Sequence, residues 1–128
     1  MKESNNNLEN HLPLSPAVFH ILLALADGER HGYGIMQEVK FRTEGRVHLR
    51  PGTLYGAIKR LLEKGLIEET AERPDPDLDD ERRRYYRLTE FGLRVLRAEA
   101  ARLARLVRQA EAKQLLPDWS QPPVTGGR

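Results

Sequence analysis

The sequence predicts a mainly α fold with a small β-hairpin, and three observations predict it. Apolar residues recur at helical spacing in four segments, and two short alternating segments flank a polar loop. Aromatic residues make up only 6% of a chain that is 31% charged, which favours helices with much exposed surface over a large sheet. A length of 128 residues fits one domain with a modest core. The absence of cysteine removes disulfides and thiolate metal sites and is compatible with a reducing compartment. The longest apolar run, "ILLALA" at residues 21–26, is too short to span a bilayer, and the opening "MKESNNNLENH" has no signal-peptide core. The expectation is a soluble cytoplasmic protein with no membrane partner.

Residues 1–13 are polar and Asn-rich and are expected to be a disordered arm; residues 117–128, "PDWSQPPVTGGR", have the composition of a disordered tail. The first helix opens at "LSPAVFHILLALADGE", where Ser15 suits the N-cap, Pro16 the first helical position and Gly28 the stop. A second helix follows "HGYGIMQEVKFRT", with Ile35, Met36 and Val39 at helical spacing and Gly45 as its breaker. The third occupies "RPGTLYGAIKRLLEKG": Leu54, Ala57, Ile58, Leu61 and Leu62 form one stripe, and Gly65 fits the C-cap. "LIEETAER" and "RRRYYRLT" then read as strands joined by the acidic loop "PDPDLDDE". A long helix from near Thr89 to about Leu116 closes the chain. Helix, helix, helix, strand, strand, helix is the order of a winged helix-turn-helix over residues 14–88, followed by a dimerisation helix over residues 89–116.

The third helix carries the functional signal. At 100° per residue its apolar stripe faces the core, while Gly52, Gly56, Lys59 and Glu63 fall opposite, with Thr53, Tyr55 and Arg60 at the flanks. Two glycines lower helix propensity by about 1 kcal/mol each relative to Ala, and solubility alone gives no reason for them. A recognition helix entering a DNA major groove does give one, because bulk on its outer face limits approach. Thr53, Tyr55, Lys59 and Arg60 then offer donors to phosphates and base edges, and the helix N-terminus offers free N–H groups. Arg46, His48 and Arg50 enrich the approach in cations and donors. Arg50 stands where a Ser or Thr cap is expected, exchanging capping strength for a phosphate contact. A net charge of only +2 means that this placement, and not total charge, carries the inference. The competing reading is an ordinary solvated helix face.

The hairpin offers a second contact through Arg82, Arg83 and Arg84. Alternation sends Arg83, Tyr85 and Arg87 to one face and Arg84, Tyr86 and Leu88 to the other. The alternative use of the three arginines is pairing with the acids of residues 77–81, and exposed pairs of that kind are worth only about 0–1 kcal/mol. The acidic tip is expected to be repelled by DNA, so the base of the wing is the expected contact. In the last helix Leu96, Ala100, Leu103, Val107 and Ala110 step by four, three, four and three, a short heptad seam expected to face a second copy of the chain.

"HGYGIMQEV", "LRPGTLYGAIKRLLEKGLIEE" and "RRRYYRLTEFGLRVL" resemble the signature stretches of the PadR family of bacterial transcriptional regulators, in register from about Leu14 to Ala110. The resemblance implies a homodimer that binds a pseudo-palindromic operator, usually as a repressor, in the nucleoid. It places Tyr55, Lys59 and Arg60 at recognition-helix positions and makes the final helix the dimerisation element. It also implies a small aromatic or drug-like effector as a partner, and no cofactor. The single C-terminal helix resembles the short subfamily, and the long acidic wing loop departs from the family pattern.

Catalysis finds no support: His11, His20, His31 and His48 lack helical ligand spacing, and in "GYGIMQ" Gln37 replaces the third glycine of a phosphate loop. His31 and Gly32 instead suit the turn into the second helix. Phe19 and Leu22 serve either a ligand pocket or the core. A winged-helix module for protein contact, or an anti-repressor that binds another regulator, without specific DNA binding, is the other functional reading.

Overall fold

The structure, a computed structural model, describes residues 8–70 and 84–117. Its elements run α1 (Pro16–Ala24), β1 (Arg30–His31), α2 (Gly32–Arg42), α3 (Pro51–Glu63), β2 (Ile67–Glu69), β3 (Tyr85–Leu88) and α4 (Glu90–Ala112). The three strands form one antiparallel sheet of order β1-β3-β2, with Ile67 opposite Leu88, Glu68 opposite Arg87 and Arg30 opposite Tyr86. β1 adds a strand to the expected hairpin; two residues are too few to show alternation in sequence.

Local chemistry sets each boundary. Ser15 Oγ accepts the Val18 N–H at 3.2 Å with Pro16 at the first helical position, and His31 Nδ1 accepts the Gly34 N–H at 2.8 Å. α3 ends in a Schellman arrangement: Gly65 takes φ +78°, and the Leu66 N–H reaches the Leu61 carbonyl at 3.0 Å. α1 stops at Ala24, four residues before Gly28, and α4 stops at Ala112, short of Leu116.

The core is built from Ile21, Leu22 and Leu25 of α1 and its C-cap, Ile35 and Val39 of α2, and Leu54, Ala57, Ile58 and Leu61 of α3. Leu66, Ile67, Tyr86, Val95 and Leu96 close it from the sheet and α4. The α3 stripe is buried as its periodicity requires, and Leu22 belongs to the core. Arg42 clamps α1 to α2, donating to Glu38 Oε1 at 2.9 Å and to the His20 carbonyl at 3.3 Å. Burial first, and the Arg42 charge second, lower the His20 pKa against the raising influence of Glu38.

One tight joint connects α3 to α4. The Thr89 hydroxyl donates to the Gly65 carbonyl at 2.6 Å and accepts the Gly92 N–H at 2.9 Å, and the Thr89 N–H reaches the Leu66 carbonyl at 3.1 Å. Gly92 lies so close to Leu66 that a Cβ there would overlap the Leu66 carbonyl.

Two expectations need correction. Residues 8–13 are not a disordered arm: Leu8 and Leu12 pack on the core, and His11 meets the Phe91 ring edge-on at 5.5 Å. Leu96 is only 5% exposed, so the chain's own core takes up the first position of the proposed seam. Residues 1–7, 71–83 and 118–128, including Arg82, Arg83, the acidic wing tip and most of the C-terminal tail, lie outside the described residues. No helix among the described residues is long and apolar enough to cross a membrane.

Glu99 ties the N-terminal segment to α4. It is 2% exposed, takes Arg102 Nε at 2.7 Å and Nη2 at 2.8 Å, and accepts the Leu14 N–H at 3.2 Å. The Arg102 hydrogen bond chiefly lowers its pKa; burial opposes this, while the Arg102 charge and the Leu14 N–H assist. A carboxylate whose folded pKa lies below its unfolded value stabilises the fold above the unfolded pKa, about 4.3, and loses that contribution as pH falls through the folded pKa. Glu99→Gln should therefore lower stability by about 1–2 kcal/mol at pH 7, because the charged hydrogen bonds are lost while Arg102 stays solvated. It should also flatten the fall in thermal midpoint below about pH 4.3, as a denaturation series from neutral to acid pH would show.

Candidate nucleic-acid interface

The first turn of α3 stands clear of the body. Arg50, Pro51, Gly52 and Thr53 are exposed, and Leu54 is the first residue of the helix anchored in the core. Arg50 is the N-cap but makes no side-chain cap, so the leading N–H groups are left to solvent or an incoming anion. The geometry thus has a cation where a capping hydroxyl would stand.

The glycines of the chain sort into two kinds. At Gly32 an added Cβ would lie 2.5 Å from the Tyr55 hydroxyl oxygen, and at Gly92 it would strike the Leu66 backbone. Those two are required by packing. At Gly52 nothing lies within 4 Å, and at Gly56 only Nη1 of Arg60 does, at 3.7 Å, an ordinary contact. Among the described residues, no close neighbour explains Gly52 or Gly56. They thin the solvent face of α3, and the Arg60 guanidinium lies back over the space at Gly56.

The structure gives Tyr55 a packing contact beside the donor role expected from its wheel position. Its ring is half-buried and rests on Gly32, bracing α3 against the N-terminus of α2. It also lines a cleft of about 560 Å³ between α3 and the sheet, with Gly52 and Lys59 on one wall and Glu69, Arg84 and Tyr86 on the other. Residues of α3 and the base of the wing therefore share one surface. On the other face of the sheet His31 meets Tyr85 edge-on at 5.2 Å and stacks near Tyr33 at 6.5 Å.

Ion pairing divides the cations. Arg84 pairs with Glu69 at 3.6 Å and Arg87 with Glu68 at 2.7 Å, so the acids of β2 hold the described wing arginines. Both pairs are solvated and worth about 0–1 kcal/mol, weak enough for phosphates to displace. Arg46, Arg50, Lys59, Arg60 and Lys64 are exposed, and none pairs with a carboxylate among the described residues. Lys64, one turn beyond Arg60, extends the basic edge beyond the residues expected from sequence. It also assists burial in lowering the pKa of neighbouring His11.

Residues 21–98 match the transcriptional regulator PadR-like family. The chain belongs to this family. It is 35% identical over 97 residues to an uncharacterised protein of Lysinibacillus sphaericus, covering 75% of this chain and 80% of that one. Among solved structures it is similar to a PadR family transcriptional regulator from Eggerthella lenta, with a TM-score of 0.60 at 24% identity over 91% of this chain and 92% of that chain. It is also similar to Bacillus subtilis PadR in complex with operator DNA, with a TM-score of 0.56 at 21% identity over 91% of this chain and 53% of that longer one. At these identities the solved structures establish the winged-helix fold, and membership rests on the family match. The PadR-like family consists of transcriptional regulators and not of enzymes.

The far half of α4 is the remaining candidate surface. Beyond Glu99 the helix leaves the core: Leu103 and Ala110 are half-buried, Ala100 is exposed, and Leu106 and Val107 are 48% and 51% exposed. Leu106, which strict four-and-three stepping passes over, is thus exposed on the same helix beside the expected seam positions.

If the open glycines serve approach to a partner, Gly52→Ala and Gly56→Ala should each raise stability by about 0.5–1 kcal/mol and yet weaken DNA binding. Gly92→Ala should instead destabilise strongly, because the Leu66 backbone cannot move aside. Thermal unfolding and DNA titration of the three variants separate the two kinds of glycine.

Proposed function

We propose that the protein is a sequence-specific double-stranded DNA-binding regulator, acting as a repressor, that binds a pseudo-palindromic operator as a homodimer. The observation that carries this reading is the thin, uncapped face of α3. Among the described residues its two glycines have no close packing neighbour, and its cations have no carboxylate partner. A helix about 10–12 Å in diameter with side chains enters a groove about 12 Å wide most deeply where its outer face is bare. Gly52 and Gly56 supply that bareness, Arg50 and the free N–H groups hold a phosphate, and Thr53, Lys59 and Arg60 reach base edges or the flanking backbone. Tyr55 holds the angle of the helix, and Arg84 meets the backbone after surrendering Glu69. The complex of Bacillus subtilis PadR with operator DNA supports duplex DNA as the partner.

Dimerisation would use α4. Its 23 residues extend about 34 Å, and only the first half lies on the domain. Leu103, Leu106, Val107 and Ala110 would bury against the partner, giving a two-fold protein for a two-fold site.

Selection of bound sequences from a random DNA pool should return an inverted repeat, and titration against it should lose affinity steeply with salt. Lys59→Ala or Arg60→Ala should weaken binding by about 1–3 kcal/mol where the side chain contacts a base. Absence of affinity above background at low salt would favour a protein-contact module instead. Leu103→Asp should yield a monomer with reduced DNA affinity; a wild type that sediments as a monomer at micromolar concentration would refute the dimer.

A further inference from the structure

The face of α4 opposite its apolar seam carries four arginines that neither the core nor the proposed operator contact uses. Arg94, Arg97, Arg105 and Arg108 are all exposed and fall within an arc of about 80° at 100° per residue. Along the axis they span about 21 Å at 1.5 Å per residue. Leu103 and Val107 lie on the far side of the same helix, so the row points away from both the core and the seam. Ala101 and Ala104 occupy the positions between the two arginine pairs, and both are exposed.

A surface arginine ordinarily finds a carboxylate one helical turn away. Glu90 stands four residues before Arg94 and Glu111 three residues after Arg108, close enough in sequence to pair. Neither pair forms, and none of the four guanidiniums meets a carboxylate among the described residues. Arg94 lies 5.8 Å from the centroid of the Phe91 ring, at the root of the row. Arg102, by contrast, sits on the inward side and is held by Glu99. The helix thus keeps its one buried acid for the fold and leaves a continuous cationic edge outside.

We infer that this edge is a second, sequence-independent binding surface for the phosphate backbone of duplex nucleic acid. Its chemistry selects that partner. A single-stranded ligand would need exposed aromatic rings for its bases, and the row has none. A folded protein surface would need large apolar anchors between the charges, and alanines stand there instead. Small residues and forked donors at regular intervals suit a rigid rod of closely spaced phosphates, approached closely and without base readout. In a dimer the two rows would hold flanking or neighbouring DNA while α3 reads the operator.

The test uses the full chain and the variant R94Q/R97Q/R105Q/R108Q, in which Gln preserves helix propensity; circular dichroism checks that the helix is intact. Binding to a GC-rich duplex of arbitrary sequence is followed by fluorescence anisotropy across a salt series, beside Lys59→Ala/Arg60→Ala and with poly-L-glutamate as a second probe. The inference predicts that the fourfold variant loses at least about tenfold in low-salt affinity. Its slope of log K against log salt should become shallower by about 3.6, since each of four phosphates left unneutralised removes about 0.9 from the slope. The α3 variant should keep that portion of the slope. Loss in the fourfold variant with none in the α3 variant supports the row and counts against α3. Unchanged affinity and slope in the fourfold variant overturn the row and leave α3 standing. Loss of poly-L-glutamate binding with duplex binding unchanged overturns it in favour of an acidic protein segment. A wild type that binds no duplex overturns both surfaces.

Discussion

The rest of the molecule hangs on the contact between Leu66 and Gly92. Here the chain leaving α3 and the chain entering α4 approach so closely that no side chain fits between them. Thr89 locks the approach from both sides, bonding the Gly65 carbonyl and capping α4 with one hydroxyl. Because Gly65 turns the chain through positive φ directly after α3, the axis of the helix proposed to face DNA and the axis of the helix proposed to dimerise are fixed by neighbouring backbone atoms. The distance between two recognition helices in a dimer would be set through this joint, and an operator half-site spacing with it. In such a dimer a rigid joint here would set that spacing, which a flexible linker could not.

Around that joint the protein uses its polar chemistry in two ways. Arg42 and Arg102 are held in fixed networks that keep helices and the N-terminal segment in place. The cations of α3 stay outside any such network among the described residues. The wing stands between these cases, its arginines held across the strand pair by weak, solvated bridges that an anion can replace. The two arginines that hold the fold, Arg42 and Arg102, are thus the ones whose pairs with a carboxylate extend to further groups in fixed networks, and they are not among those proposed to meet DNA.

Much of this was legible in sequence because it is local. Ser15–Pro16, Gly65 and Thr89 announce helix ends through their own backbone preferences, and the α3 stripe announces its buried face through period alone. What could not be read depends on distant partners. Glu99 looks like a surface residue until Arg102 and the Leu14 N–H surround it. Leu96 fits a heptad and a core equally well, and only the position of α4 decides between them. Leu8 and Leu12 are too few to show a period, and β1 is too short to alternate. The glycine pair of α3 was conspicuous from composition, but only the space above each residue separates Gly52 and Gly56 from Gly32 and Gly92.

The missing cap on α3 has a dynamic consequence. Its first turn holds Pro51, Gly52 and Thr53, none of which is anchored, and begins at a residue whose side chain secures nothing. That turn can open without disturbing any core contact, whereas the helix from Leu54 onward opens only with the core. The free protein therefore carries a weakly anchored turn of helical backbone at the tip proposed to enter the groove. A phosphate seated on those N–H groups would supply the acceptor that the missing cap leaves out and so tighten this first turn.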